Sequence, residues 1–186
     1  MLIGLDLDNT LIGYDEAFRT VAAESGLVAA GFAGGKAAIR AAIRARPDGE
    51  ADWQRLQGQV YGPRIDLARP LPGSIDFILA ARAAGHALAI ISHKTRTGHS
   101  DTSGTDLRLA ALGWLDRHGY FSRLGFAPVD IHFEDDRAAK LARIRALAPD
   151  LFVDDLAEVL DDPGFPAATR AVLLDDWAAV AERVLG

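Results

Sequence analysis

The chain opens Met1-Leu2-Ile3-Gly4-Leu5-Asp6-Leu7-Asp8-Asn9-Thr10, an apolar run broken by two aspartates one residue apart. Residues 2–7 read as a short, fully buried strand. In regular strand Asp6 and Asp8 share a face, because the side-chain period is two; just past the strand end they converge on one point. Two carboxylates at the open end of a buried strand repel each other and need a cation or a proton to offset the charge. Magnesium is the natural partner, since it takes hard oxygen ligands and accepts few of them from protein.

Outward from this strand the pattern alternates. Residues 16 to about 65 are helical in pattern, with Asp15 as the expected N-cap, and Gly26, Gly31, Gly34-Gly35 and Pro47-Asp48-Gly49 as breaks. Arg69-Pro70-Leu71-Pro72-Gly73 is a breaker, followed by a helix over residues 74–84 that Gly85 ends. A second buried strand, 86–91, stops at Ser92-His93-Lys94. The loop 95–104 is polar and rich in Gly, Ser and Thr, and long enough to carry function. A helix is expected over 106–118, a third strand over 129–133, and a helix over 138–147 capped by Asp135 or Asp136. A fourth strand, 150–153, runs into Asp154-Asp155. A fifth, 171–174, precedes a last helix at 177–185.

Strands alternating with helices imply an α/β chain with a Rossmann-like parallel sheet flanked by helices. Ligands of such sheets sit beyond the carboxyl ends of the strands. Asp6, Ser92 and Asp154 all fall there, so three polar punctuations point to one site.

Composition narrows the function classes. A chain of 186 residues with 49% hydrophobic content suits one domain with an inserted subdomain. With no cysteine there are no disulfides and no thiolate metal sites. A net charge of −6 argues against nucleic-acid binding. No apolar run is long enough to cross a membrane and no signal core is seen, so a cytoplasmic protein is expected. Basic residues are lopsided, 17 Arg against three Lys at Lys36, Lys94 and Lys140. Where Arg is the default, a retained Lys points to a need for a compact point charge.

Leu5-Asp6-Leu7-Asp8-Asn9-Thr10, Ile90-Ile91-Ser92, Lys140 and Phe152-Val153-Asp154-Asp155 occur in an order that resembles the haloacid dehalogenase superfamily of phosphatases and phosphotransferases. The resemblance covers nearly the whole chain. It implies Asp6 as the nucleophile forming an aspartyl-phosphate, and Asp8 as general acid and then general base. It implies Thr10 as a tie on the Asp loop, Ser92 as a holder of phosphate oxygens, and Lys140 as the neutralising cation. Magnesium would be held by Asp6, the Asp8 carbonyl oxygen and the pair Asp154-Asp155. One of that pair would touch the ion directly and the other through water or a hydrogen bond, with Asp155 preferred for direct contact. Asp8 argues against dehalogenation, because a halide leaving group needs no proton.

The resemblance also implies a core of residues 1–14 and 69–186 with a small helical cap, 15–68, that reads the substrate. Lys36, Arg40 and Arg44 recur every four residues on one helix face, and Trp53, Gln57 and Tyr61 form a second row. Lys36, Arg40, Trp53 and Tyr61 are candidate substrate contacts, as are His93 and Lys94 beside Ser92. Trp53–Gly62, Ser92–Thr95, Trp114-Leu115 and Phe152–Val159 are similar to a bacterial subgroup associated with surface-polysaccharide synthesis, which implies a sugar phosphate or nucleotide. The expected partner is a small phosphorylated metabolite, and a homodimer is consistent with aromatic cap helices. Two alternatives are a phosphomutase or phosphotransferase, and a regulatory protein that binds a phospholigand with little turnover.

Overall fold

The computed structural model describes residues 1–98 and 104–186, so residues 99–103 of the polar loop expected over 95–104 lie outside the described residues. The elements in chain order are β1 (Leu2–Leu5), β2 (Ile12–Gly13), α1 (Asp15–Glu24), α2 (Lys36–Arg44), α3 (Gly49–Tyr61), β3 (Arg69–Pro70), α4 (Ser74–Ala83), β4 (Ala87–His93), α5 (Leu107–Arg117), β5 (Ile131–Glu134), α6 (Arg137–Leu147), β6 (Leu151–Asp154), α7 (Ala157–Leu160), β7 (Arg170–Leu173) and α8 (Trp177–Leu185). Short 3-10 turns at Ile65–Leu67 and Pro128–Asp130 join them.

Five strands form one parallel sheet in the order β5-β4-β1-β6-β7. The α/β fold expected from the alternating pattern is present. Strand β1 is central, with Leu5 level with Ile90 of β4 and with Val153 of β6. Side chains on both faces of these three strands are buried. Ile3, Leu5, Leu88, Ile90, Leu151 and Val153 fill one face; Ala89, Ile91 and Phe152 fill the other. A continuous apolar run is the consequence of covering both faces. Gly4 lies on the second face, where a Cβ would come 2.6 Å from the Phe152 ring, so the central strand makes room there for that ring.

Helix α6 packs on the Phe152 face through Leu141 and Ile144, in one cluster with Ile91, Val159 and Leu160. Its N-cap is Asp136, whose Oδ1 accepts from the Ala139 N–H at 2.7 Å. Helices α4 and α8 meet through Phe77 and Trp177, with ring centroids 4.7 Å apart. Gly73, at φ 84°, begins α4, and a Cβ there would meet the Trp177 Cβ at 2.8 Å. Both the left-handed backbone and the close approach call for glycine at this turn.

The chain divides into two compact units. One comprises Met1–Ile12, Pro70–Lys94 and Asp116–Gly186 and contains the sheet; the other comprises Gly13–Arg69 and Thr95–Leu115. In the second unit the helical stretch resolves into α1, α2 and α3. Phe18 stacks on Trp53 at 5.2 Å, and Ile39, Ile43, Leu56 and Val60 are buried. Trp114 on α5 is fully buried and donates its indole N–H to the Ala68 carbonyl at 3.0 Å.

One local expectation is corrected. Asp15 does not cap α1; it is the first helical residue, and Tyr14 occupies the cap position without a side-chain bond. The Asp15 carboxylate instead accepts the Lys36 N–H at 2.8 Å, so it secures the start of α2. A tertiary partner outcompetes the local cap, because the first N–H groups of α2 follow two glycines and have no capping side chain of their own.

Trp177 ties the C-terminal helix to the loop after β1. Its indole N–H donates to the Thr10 carbonyl at 2.9 Å, and both residues are buried. Trp177→Phe keeps an aromatic ring but removes the indole N–H and leaves that carbonyl unpaired. A loss of about 1–3 kcal/mol in unfolding free energy is expected, seen as a lower melting temperature in thermal denaturation. An unchanged melting temperature would contradict this role.

Candidate active site

The loop after β1 is wound tightly. The Leu11 and Ile12 N–H groups both return to the Leu7 carbonyl, at 2.9 and 3.0 Å, and the Asn9 N–H reaches the Ile12 carbonyl at 2.8 Å. Asn9 takes φ 59°, a left-handed conformation that Asn tolerates better than most residues. This turn carries Asp6, Asp8 and Thr10 together at the carboxyl edge of the sheet.

The register does the rest. Leu5, Ile90 and Val153 are level, so the residues that follow them gather at one edge. Asp6 and Asp154 continue the row of Gly4 and Phe152, the face that α6 covers. Lys140, on the second turn of α6, reaches both: its Nζ lies 2.7 Å from Asp6 Oδ1 and 2.6 Å from Asp154 Oδ2. All three groups are buried, Lys140 at 3% exposure and Asp154 at 0%. Asp154 Oδ1 accepts the Leu156 N–H at 2.9 Å, so both of its oxygens are engaged within the protein. Asp155, one residue on, is half-buried. Thr10 Oγ1 lies 3.5 Å from Asp6 Oδ2 and 3.5 Å from Asp155 Oδ1, bridging the first loop to the acidic pair.

Three carboxylates and one ammonium leave an excess of negative charge in this buried place. Burial is the largest influence on Asp6 and raises its pKa; Lys140 lowers it, Asp154 and Asp8 raise it, and the outcome is about 7. Lys140 is held above the ordinary lysine range. Burial works against its charge, but Asp6 and Asp154 outweigh that cost. Oxygens of Asp6, Asp154 and Asp155 lie within 4.8 Å of one another, which suits a small divalent cation after modest side-chain rotation. Charge and donor type therefore fit magnesium.

Lys94 makes a separate contact. Its Nζ lies 2.7 Å from Asp8 Oδ2, and the lysine is 4% exposed. Ser92 is buried at the end of β4, two residues beyond Ile90, while the neighbouring His93 is exposed. The remaining candidates gather in the second unit. Lys36 Nζ sits 5.6 Å from the Phe18 ring centre and 5.5 Å from that of Tyr61. Arg40 lies over Trp53 at 6.0 Å, and Tyr14 meets Tyr61 edge-on at 4.8 Å. These are cation–π distances. Arg44 leaves this row and pairs with Glu50.

Sequence reasoning placed Asp6, Asp8, Thr10, Lys140, Asp154 and Asp155 together; the structure links Asp6, Thr10, Lys140, Asp154 and Asp155 by direct contacts, while the Asp8 carboxylate meets Lys94. The Lys94–Asp8 pair and the Trp177 anchor on Thr10 went unseen. Lys94 had a signal, as one of only three lysines in an arginine-rich chain. Trp177 had none, since its partner is a backbone carbonyl 167 residues away.

No protein-family model matches the chain, and no curated protein is similar to it in sequence. Solved structures do match. A HAD family hydrolase from Deinococcus radiodurans R1, with bound phosphate and sodium, superposes over 97% of this chain and 86% of its own, at 16% identity and a TM-score of 0.52. A HAD-superfamily hydrolase from Ehrlichia chaffeensis covers 99% of this chain and 95% of its own, at 11% identity and a TM-score of 0.45. With the parallel sheet and its order of strands, the first likeness shows that this chain has the fold of the HAD hydrolases.

Proposed function

We propose that this chain is a magnesium-dependent phosphatase of the haloacid dehalogenase superfamily. It would hydrolyse a phosphomonoester on a small metabolite through an aspartyl-phosphate. The observation that carries this reading is the buried Lys140 ammonium held between Asp6 and Asp154, with Asp155 beside them. A lone buried lysine would have one carboxylate partner to neutralise it. Here the carboxylates outnumber the ammonium, which is the electrostatic setting of a site that takes a cation together with a phosphoryl group.

The residues take distinct roles. An Asp6 carboxylate oxygen attacks phosphorus, and the ester bond to the metabolite breaks. The departing oxygen takes a proton from the Asp8 carboxyl. In the second half, water attacks the same phosphorus and gives its proton to Asp8, and the bond to Asp6 breaks to return the carboxylate. Lys140 offsets charge on Asp6 and on the phosphoryl oxygens throughout. Ser92 is assigned to phosphate oxygens, and Thr10 to fixing Asp6 relative to Asp155. Asp6, the Asp8 carbonyl oxygen and Asp155 would hold magnesium. Asp154 would support it indirectly, since Lys140 and the Leu156 N–H already occupy its oxygens. When bound, the ion supplies positive charge to the transferring phosphoryl group. The phosphate and sodium in the Deinococcus hydrolase are an anion and a cation of the kind this site would take.

Residues 15–68 are proposed as the cap that selects the substrate. Lys36 and Arg40, set among Phe18, Trp53 and Tyr61, combine cations with ring faces. That chemistry suits a sugar phosphate or nucleotide carrying a second anionic group. Among the described residues no helix is long and apolar enough to cross a membrane.

Asp6→Asn is expected to reduce phosphate release from an aryl phosphate by on the order of a thousandfold or more, with the circular dichroism spectrum unchanged. Activity equal to that of the unaltered protein would sink the assignment.

Magnesium is expected to raise the melting temperature, by an amount equivalent to about 2.7 kcal/mol at a hundred times its dissociation constant. Asp155→Asn should remove most of that gain. The effect depends on pH in a definite direction. Because the folded-state pKa of Asp6 is raised to about 7, its contribution to metal-free stability is full below the ordinary carboxylate range and disappears as pH climbs through about 7. Below that pH protons compete with the ion. The magnesium-induced shift should therefore grow between about pH 5 and about pH 8. A shift that is absent, or constant over this range, would contradict the proposed site.

A further inference from the structure

Lys94, a candidate substrate contact in the sequence, takes no part in the reaction steps proposed above, yet it is one of the most deeply placed charges in the chain. It stands just past β4, and its backbone N–H donates to the Glu134 carbonyl at 2.8 Å, which fixes it against β5. Its side chain turns back to Asp8, with Nζ 2.7 Å from Oδ2. The lysine side chain is 3% exposed and that of Asp8 20%. Asp8 is itself held at the other end. The left-handed Asn9 follows it, and its backbone bridges to Ile12.

Burying such a pair brings little net stability, because the desolvation cost is comparable to the attraction. Its specific effect is geometric. A carboxylate on a short side chain, at the mouth of a turn, has two χ angles to settle. An ammonium on one oxygen settles them. The chain uses arginine at 17 basic positions and lysine at three, and two of those three sit on the two aspartates of the first loop. Lysine suits this place as a compact charge that does not impose the planar fork of a guanidinium.

We infer that Lys94 is a positioning residue that orients the Asp8 carboxyl for proton transfer. The inference rests on the phosphatase reading and on Asp8 as its acid and base. In the second half-reaction the water oxygen bonds to phosphorus and the water proton passes to Asp8. The bond from phosphorus to Asp6 breaks, and its electron pair returns to the Asp6 carboxylate. Lys94 neither bonds to phosphorus nor exchanges the proton. It acts through the rotamer of Asp8, so its contribution exists only when Asp8 is present.

A double-mutant cycle on phosphoenzyme decay tests this. Lys94→Met, Asp8→Asn and the double variant are loaded with p-nitrophenyl phosphate and magnesium. Surviving aspartyl-phosphate is then followed by acid quench. An aryl leaving group needs little proton assistance, so loading proceeds in every variant. Lys94→Met is expected to slow decay by about tenfold or more, with kcat/KM, which reports the loading step, within about threefold. In the Asp8→Asn background the same substitution should slow it by less than about twofold. Equal factors in the two backgrounds, no effect of Lys94→Met, or a rise in KM alone would each overturn the inference. If Lys94→Met does not keep its melting temperature within a few degrees, Lys94→Gln, neutral and close in length, takes its place in the cycle. Asp6→Asn separates the two levels. If that variant still turns over, the phosphatase reading itself fails. If it is inactive and the cycle is additive, only the role of Lys94 fails.

Discussion

The ammonium of Lys140 between Asp6 and Asp154 is the contact on which the rest of the site depends. Each partner comes from a different element: the end of β1, the end of β6 and the second turn of α6. None could be moved without breaking the arrangement. The parallel register makes Leu5 and Val153 level, so that Asp6 and Asp154 emerge side by side. The packing of Leu141 and Ile144 on Ile91 and Phe152 sets α6 at the height where Lys140 reaches both. Phe152 in turn fills the space that Gly4 leaves open and lies 5.3 Å from the Lys140 charge. Core packing and site electrostatics are thus one construction, and the excess of carboxylate over ammonium is built into it.

Much of this was legible in the sequence because it follows from periodicity. Apolar runs ending in Asp6, Ser92 and Asp154 mark strand ends, and parallel strands deliver their ends to one edge. The α/β fold and the gathering of Asp6, Ser92 and Asp154 at one edge follow from those two rules, while Thr10, Lys140 and Asp155 were implied by the resemblance of the ordered motifs to the haloacid dehalogenase superfamily. What escaped were contacts set by tertiary geometry. Asp15 looked like a helix cap and instead serves the start of α2, because competition between two helix ends is invisible along the chain. The Trp177 bond to the Thr10 carbonyl has a backbone group as its acceptor, which no residue type announces. The engagement of both Asp154 oxygens could not be read from the Asp154-Asp155 pair, whose members look equivalent until Lys140 and the Leu156 N–H are placed.

The two units carry different kinds of chemistry. The sheet unit concentrates carboxylates and two lysines at the carboxyl edge of its sheet. The helical unit concentrates ring faces with Lys36 and Arg40. The chain's three lysines are divided accordingly: one on Asp6, one on Asp8, and one among aromatic rings.

The central claim is that Asp6 forms a covalent bond to phosphorus. The direct measurement is to mix the protein with magnesium and an isotopically labelled phosphoryl donor, quench with acid, digest and map the label by mass spectrometry. The account predicts phosphate on the N-terminal peptide, localised to Asp6 and absent after Asp6→Asn. Turnover with no labelled peptide, or label on any other residue, would contradict it.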